Sequence, residues 1–282
     1  FVVLSKSRLS SMSFSFYMKF RLIGDTIVLL YAVKDSLAFN FDMNFSLISS
    51  LACKIGEYSV YAFSSFSTWM LAVISFDRLI TILYPQKFEF IRKNYFQILV
   101  VLAVLTFSCL LYSPMPIYLE LISEEVNKSS SLIDGLNNNT YDIEIVKDCY
   151  LTNENVNRYI EVVGLIEIST AICGVNNLMT FLTISFIFKS RKKFNSNKNN
   201  NANNSANSTA LRDRKFAINS IVLNLIYFIF NMPFLIILIC LAYRIIDETI
   251  EPMLYAIGNA IYILQFSSTF FINIIVNSIF QD

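Results

Sequence analysis

Apolar residues gather into six long runs along this chain, separated by shorter polar stretches. The runs cover roughly Phe14–Asn40, Leu47–Leu83, Tyr95–Leu119, Val156–Phe188, Phe216–Tyr243 and Pro252–Phe280. Each meets or exceeds the roughly 20 residues that an α-helix needs to cross a hydrocarbon core. Lipid offers no partner to a backbone amide, so spans of this length must be helices that satisfy their own hydrogen bonds. The period-two alternation of a membrane β-barrel is absent. The pattern therefore predicts an all-α membrane protein, with residues 1–282 forming a single transmembrane helical domain. Between the runs, residues 120–155 read as an acidic extracellular loop. Residues 189–215 read as a disordered cytoplasmic loop, because the Asn-rich Asn195–Ala210 segment cannot bury a core. Phe1-Val2-Val3-Leu4 reads as the tail of a further apolar run, so one more helix is expected upstream.

Charge placement orients the bundle. Only 15% of residues are charged and the net charge is +1, which leaves no basic field for nucleic acid. Lys and Arg concentrate before Asp25 (Lys6, Arg8, Lys19, Arg21), from Arg78 to Lys93, and from Lys189 to Lys215. Acidic residues dominate Leu119–Asn155. Positive charge stays on the cytoplasmic side, so the basic regions face inward and the acidic ones outward. The glycosylation triplets starting at Asn44, Asn127 and Asn138 then lie outside, whereas those at Asn203 and Asn207 lie inside and stay unused.

The residue inventory excludes much chemistry. The chain contains no His, which removes most zinc hydrolase sites, Ser-His-Asp triads and haem ligation by His. Of the five Cys, Cys53 and Cys149 fall at extracellular positions, where an oxidising compartment favours a bridge between them. Cys109, Cys173 and Cys240 fall within spans and read as buried thiols acting as small apolar residues. No enzyme is expected: Asp25 and Glu167, the two acids set well inside apolar runs, lie toward opposite faces of the membrane. A small-solute transporter would need internal repeats and more midplane charge.

The second run closes on Ser75-Phe-Asp77-Arg78-Leu79, with Cys53 placed 25 residues before Arg78 and Tyr84-Pro85 following. This constellation resembles the rhodopsin-like G-protein-coupled receptors, whose third helix ends in Asp-Arg-Tyr and begins at a disulfide Cys at that separation. Further residues fall into register. Leu22-Ile-Gly-Asp25 resembles the second family helix, in which a mid-membrane Asp helps to hold a sodium ion, and Ser67 and Asn273 match other members of that polar cluster. Asn231-Met-Pro233-Phe234 resembles the kinked sixth helix, with Asn231 in place of its Trp. Asn273-Ile-Ile-Val-Asn277 resembles the Asn-Pro-x-x-Tyr close of the seventh helix, without the Pro or the Tyr. The usual Trp of the fourth helix is also missing, and the sole Trp, Trp69, stands one helix earlier. The resemblance implies a seven-transmembrane receptor bundle with six helices in this chain.

The resemblance also implies roles. Asp77, Arg78 and Leu79 would face the heterotrimeric G protein, with Arg78 held by Asp77 at rest and released on activation. An Arg snorkelling to phosphate headgroups is the plainer alternative. Asp25, Ser67 and Asn273 would form an ion site, with sodium as the one cofactor implied. Asn231, Pro233 and Asn273 would form the activation hinge. Glu57, Val60, Tyr61 and Ser64 share one helix face near Cys53, and Tyr262 and Gln265 approach from the last span, so these six are the candidate ligand contacts. Glu57 beneath an acidic loop favours a cationic extracellular ligand such as a basic peptide, a neuropeptide among them; pairing with Lys54 is the equal alternative. The last span has no Lys to hold a retinal Schiff base. Basic residues at the inner helix ends would meet the G protein or anionic membrane lipids, and plasma membrane is the expected location. A receptor-like protein that does not couple is the principal rival.

Overall fold

The computed structural model describes residues 13–41, 49–83, 93–128, 142–196, 204–242 and 250–279. Helix α1 (Ser13–Phe41) is followed by α2 (Ser50–Leu83), α3 (Asn94–Leu111) and the single turn α4 (Met115–Tyr118). An antiparallel hairpin, β1 (Leu119–Lys128) and β2 (Asp142–Leu151), comes next. Helix α5 (Glu154–Ser169) passes through a π-helical turn (Thr170–Asn176) into α6 (Asn177–Ser196), and α7 (Asn204–Ala242) and α8 (Glu251–Ile279) complete the chain.

Helix α2 is the axis of the bundle, touching α1, α3, α6, α7 and the hairpin. Its sequence suits that place, since buried Ala62, Phe66, Met70 and Ile74 recur every fourth residue and so stack along one face. Buried Phe14, Tyr17, Met18 and Leu22 line the opposing face of α1, and Leu223 and Tyr227 close the same core from α7. Gly24 lets α1 approach α2, because a Cβ there would meet Phe66 Cδ1 at 3.2 Å and the Phe63 carbonyl at 3.5 Å. Other apolar residues point outward. Tyr95, Leu99, Leu102 and Leu110 on α3 are all more than half exposed, a surface that is stable against lipid and adhesive in water. Among the described residues four helical stretches are long and apolar enough to cross a membrane: Ser50–Thr81, Asn94–Tyr118, Glu154–Phe186 and Ser220–Cys240. The chain is an all-α membrane bundle.

The elements depart from the sequence expectations in three places. The run expected as one helix over Tyr95–Leu119 breaks at Tyr112, where Pro114 cannot donate to the helical ladder. The expected disordered loop 189–215 is partly helical, since α6 continues to Ser196 and α7 begins at Asn204. Lys and Arg are good helix formers, and once each span is nucleated by packing the helix propagates into its basic flank. The acidic loop contains the hairpin, registered with Leu119 opposite Leu151 and Leu121 opposite Cys149. Its signal was legible in the alternation of Asp142-Ile143-Glu144-Ile145.

Cys53 and Cys149 form the expected disulfide, with Cα atoms 6.0 Å apart across 96 residues of sequence. The bridge pins β2 to the first turn of α2. Around it Tyr112, Met115, Leu119 and Ile160 form a second buried core. Cys109 and Cys240 are free but only half-buried, which corrects their expected full burial: both helices present part of their circumference to lipid. The side chain of Cys173 lies outside the described residues, as do the triplets at Asn44 and Asn138, the Tyr84-Pro85 pair and the expected upstream apolar run.

Candidate functional site: a polar spine through the helix bundle

Buried polar residues line the interior of the bundle along α2 from Ser64 to Arg78. At the inner end Asp77 and Arg78 are both buried. Arg78 donates to Asp77 Oδ2 from Nη2 at 2.5 Å and from Nε at 3.1 Å, and its guanidinium lies 5.2 Å from the centre of the Phe14 ring. A fork of two charge-assisted bonds fixes the Arg far better than a point contact. Leu79 is buried beside them. One turn inward, Asn224 of α7 donates from Nδ2 to Ser75 Oγ on α2 at 2.8 Å and to Thr180 Oγ1 on α6 at 2.7 Å. Three helices thus share one amide. Asn224 is absent from the sequence-derived candidates, because a single Asn within an apolar run carries no local signal of its partners.

At mid-depth Asp25 is buried and accepts a hydrogen bond from Ser67 Oγ, so two of the three residues expected at the ion site come together. The side chain of Asn273, expected both here and in the hinge, lies outside the described residues. Arg21 is an unexpected member of the group. It is 3% exposed, its Nε stands 3.8 Å from Asp25 Oδ2, and its Nη2 donates to Thr269 Oγ1 of α8 at 3.1 Å. Arg21 therefore does not belong to the cytoplasmic positive charge, as the charge pattern suggested; it is an internal ion-pair partner. Its spacing of four residues before Asp25 was the available signal.

These residues do not fit a resident sodium ion. Among the described residues Arg21 Nε and Nη1 and Asp25 Oδ2 are buried without a hydrogen-bond partner, and that carboxylate oxygen already faces the guanidinium at 3.8 Å, so the acceptor a metal would need is taken by a fixed cation. A second cation about 4 Å from the guanidinium would be repelled by about 4 kcal/mol at an effective dielectric constant of about 20. That is about a thousandfold in affinity.

Of the residues expected at the hinge, Asn231 joins α7 to α8. Asn231, fully buried, donates from Nδ2 to the Tyr227 carbonyl at 2.8 Å and to Gln265 Oε1. Pro233 lies inside α7, where it withdraws one ladder hydrogen bond. Gln265, expected as a ligand contact, is buried and accepts from Asn231.

The other five candidate ligand contacts spread over several partners. Tyr31 of α1 donates to Glu57 Oε1 at 2.5 Å, and Lys34 Nζ lies 3.4 Å above the Tyr31 ring. Tyr61, 37% exposed, packs against Tyr112 with ring centres 5.6 Å apart, and Val60 is half-buried. Ser64 is hydrogen-bonded to Tyr262 of α8, whose ring stacks on Phe234 at 4.8 Å. Glu167, read from sequence only as an intramembrane acid, is buried beside them. It accepts from Ser65 Oγ and, at 2.8 Å, from the Tyr112 hydroxyl. The π-helical turn begins three residues after it, and such bulges often re-aim side chains at functional positions.

A membrane bundle with an outer hairpin bridged to its central helix, a polar interior and a charged lock at the opposite end has the architecture of a transmembrane receptor. The chain belongs to the 7 transmembrane receptor (rhodopsin family), whose family model matches residues 1–277. It is thus a multi-pass G-protein-coupled receptor with a seven-transmembrane receptor fold, and not an enzyme. A comparison with curated proteins gives no match.

Proposed function

We propose that this receptor lies in the plasma membrane and transduces the binding of an extracellular ligand, a basic peptide by preference, to a heterotrimeric G protein. The observation that carries the proposal is the buried fork between Arg78 and Asp77 at the inner end of α2. A buried ion pair between adjacent residues is a two-state lock. It holds while the helix ends stay packed, and it frees a cationic side chain for a partner when they separate. Asp77, Arg78 and Leu79 form the coupling surface in the open state. The helical extensions carrying Lys189–Lys193 and Arg212–Lys215 flank it, and they suit a G protein or anionic lipid.

The preference for a basic peptide rests on the acidic outer segment and on Glu57, half-buried at the mouth of the bundle. A charged rim of one sign steers ligands of the other. Val60, Tyr61, Ser64 and Tyr262 continue inward from Glu57 and form the floor of that site.

The test is G-protein nucleotide exchange in membranes carrying the receptor, with and without pooled basic peptides. Arg78→Ala should abolish stimulated exchange. Asp77→Asn should raise exchange without ligand several-fold, because removing one partner of a buried pair costs about 3–5 kcal/mol. One observation favours the second reading, a receptor-like protein that does not couple: Asn231 ties α7 to α8 by an amide–amide bond at its hinge. Surface-delivered receptor that never drives exchange, with Asp77→Asn equally silent, would establish that reading instead.

A further inference from the structure

We propose that Arg21 is the resident cation of the Asp25 site, so that this receptor binds no sodium there and its stability does not depend on that ion. The family resemblance leads one to expect a metal at a buried mid-membrane carboxylate. This chain places a covalently attached charge beside the same carboxylate. Arg21 and Asp25 sit one turn apart on α1, so the tether is short and the pairing needs no long-range closure. A guanidinium stays protonated under all ordinary conditions, so the positive charge is permanent. Its reach to Thr269 Oγ1 and the bond from Ser67 to Asp25 make one unit of α1, α2 and α8. The geometry is a structural replacement of the ion: charge, oxygen partners and the bridging of helices are all supplied by side chains.

The competing requirement is for oxygen. A bound metal ion would need several lone pairs converging on one point. Here the described partners of Asp25 are the hydroxyls of Ser67 and Thr269 and the Arg21 cation, and among the described residues two N–H groups of Arg21 lack acceptors against one oxygen, Asp25 Oδ2, that lacks a donor and faces the guanidinium. A water molecule or an acceptor group suits that surplus; a second cation does not.

The experiment is thermal unfolding of the purified full chain in detergent, in sodium chloride against N-methylglucamine chloride at equal ionic strength. Sodium-23 line broadening is measured on the same samples. The wild-type receptor should show the same melting temperature in both salts, and its sodium signal should match that of Asp25→Asn. Wild-type stabilisation by sodium that Asp25→Asn removes would overturn the proposal. Arg21→Gln keeps a donor for Thr269 while removing the charge. It should acquire sodium-dependent stabilisation of about 2–4 °C, as ion binding to the folded state alone predicts. A folded Arg21→Gln receptor with no response to sodium would also count against it, since the vacated site would then be no cation site at all. If Arg21→Gln does not fold, the wild-type comparison decides the question by itself. None of these readouts requires a ligand or coupling, so failure of the signalling proposal leaves the result interpretable.

Discussion

Inside a membrane a polar side chain gains most from a partner within the protein, and the residues packed around α2 show how far that condition reaches. Glu167 is the sharpest case. It is an acid in an apolar helix, and it is held by the hydroxyls of Ser65 and Tyr112. Hydrogen bonds to charged groups contribute about 1.5–3 kcal/mol net, and an acceptor left bare in a dry interior adds its desolvation cost. Tyr112→Phe should therefore lower the melting temperature by several degrees in a thermal-shift assay. Ser113→Ala, next door and exposed, should leave it unchanged. Equal loss in both would mean that the turn at Pro114, and not the hydroxyl, is what Tyr112 supports. Asn231 obeys the same condition. Its register position was readable from Pro233 two residues on, whereas its engagement with Gln265 was not, because the partner lies 34 residues away on another helix.

Elements follow from pattern wherever the solvent leaves the backbone no choice. The long helices track the apolar runs because lipid forbids an unsatisfied backbone. Their ends shift by two turns or more where a Pro intervenes, as at Tyr112, or where the helix runs on into a polar flank, as at Ser196 and Asn204. Trp69 shows how two elements are joined: it stands on α2 and packs edge-to-face on Phe107 of α3 at 5.7 Å. It fastens this helix pair from the α2 side, although the family's usual Trp sits on the other helix. The hairpin depends on its staple. A disulfide closing a loop of about 100 residues contributes about 4–5 kcal/mol in the chain-entropy model. Cys149→Ser should thus sharply reduce folded receptor at the cell surface, measured by flow cytometry with an extracellular tag. Cys109→Ser should not, since that thiol is free and half-buried. A surface level for Cys149→Ser equal to wild type would show that β1 and β2 dock without the bridge.

Across the molecule as a whole, charge sets orientation and packing sets the relation between the helices. The positive-inside reading places the hairpin outside. Its acceptor Asn127 should therefore carry glycan, visible as a mobility shift on endoglycosidase treatment that Asn127→Gln reduces. The shift should be indifferent to Asn203→Gln and Asn207→Gln; loss of glycan in either of those would invert the topology. Helix α2 contacts most of the other long helices. The lock at Arg78, the Asn224 junction, the Asp25 group and the Glu57 mouth are therefore all read out along one rod. A displacement at its outer end has a short mechanical route to its inner end, which is the physical basis for expecting a two-state response.

Composition and spacing alone were enough to assign the solvent, the long apolar runs and the disulfide pair. The first two rest on local content, which the lipid environment makes nearly binding, and the third on two Cys falling in the one oxidising compartment. Which residues meet across helices emerged only from the packed bundle. Packing turned Arg21 from a topological marker into the partner of Asp25, tied Gln265 to Asn231, and joined Asn224 to Ser75 and Thr180. It also brought out the hairpin within what composition presented as a loop. The reason is common to the three helix contacts. A helix face is periodic in sequence, but the rotation and depth at which two faces meet depend on packing summed over the whole bundle, which no single run records.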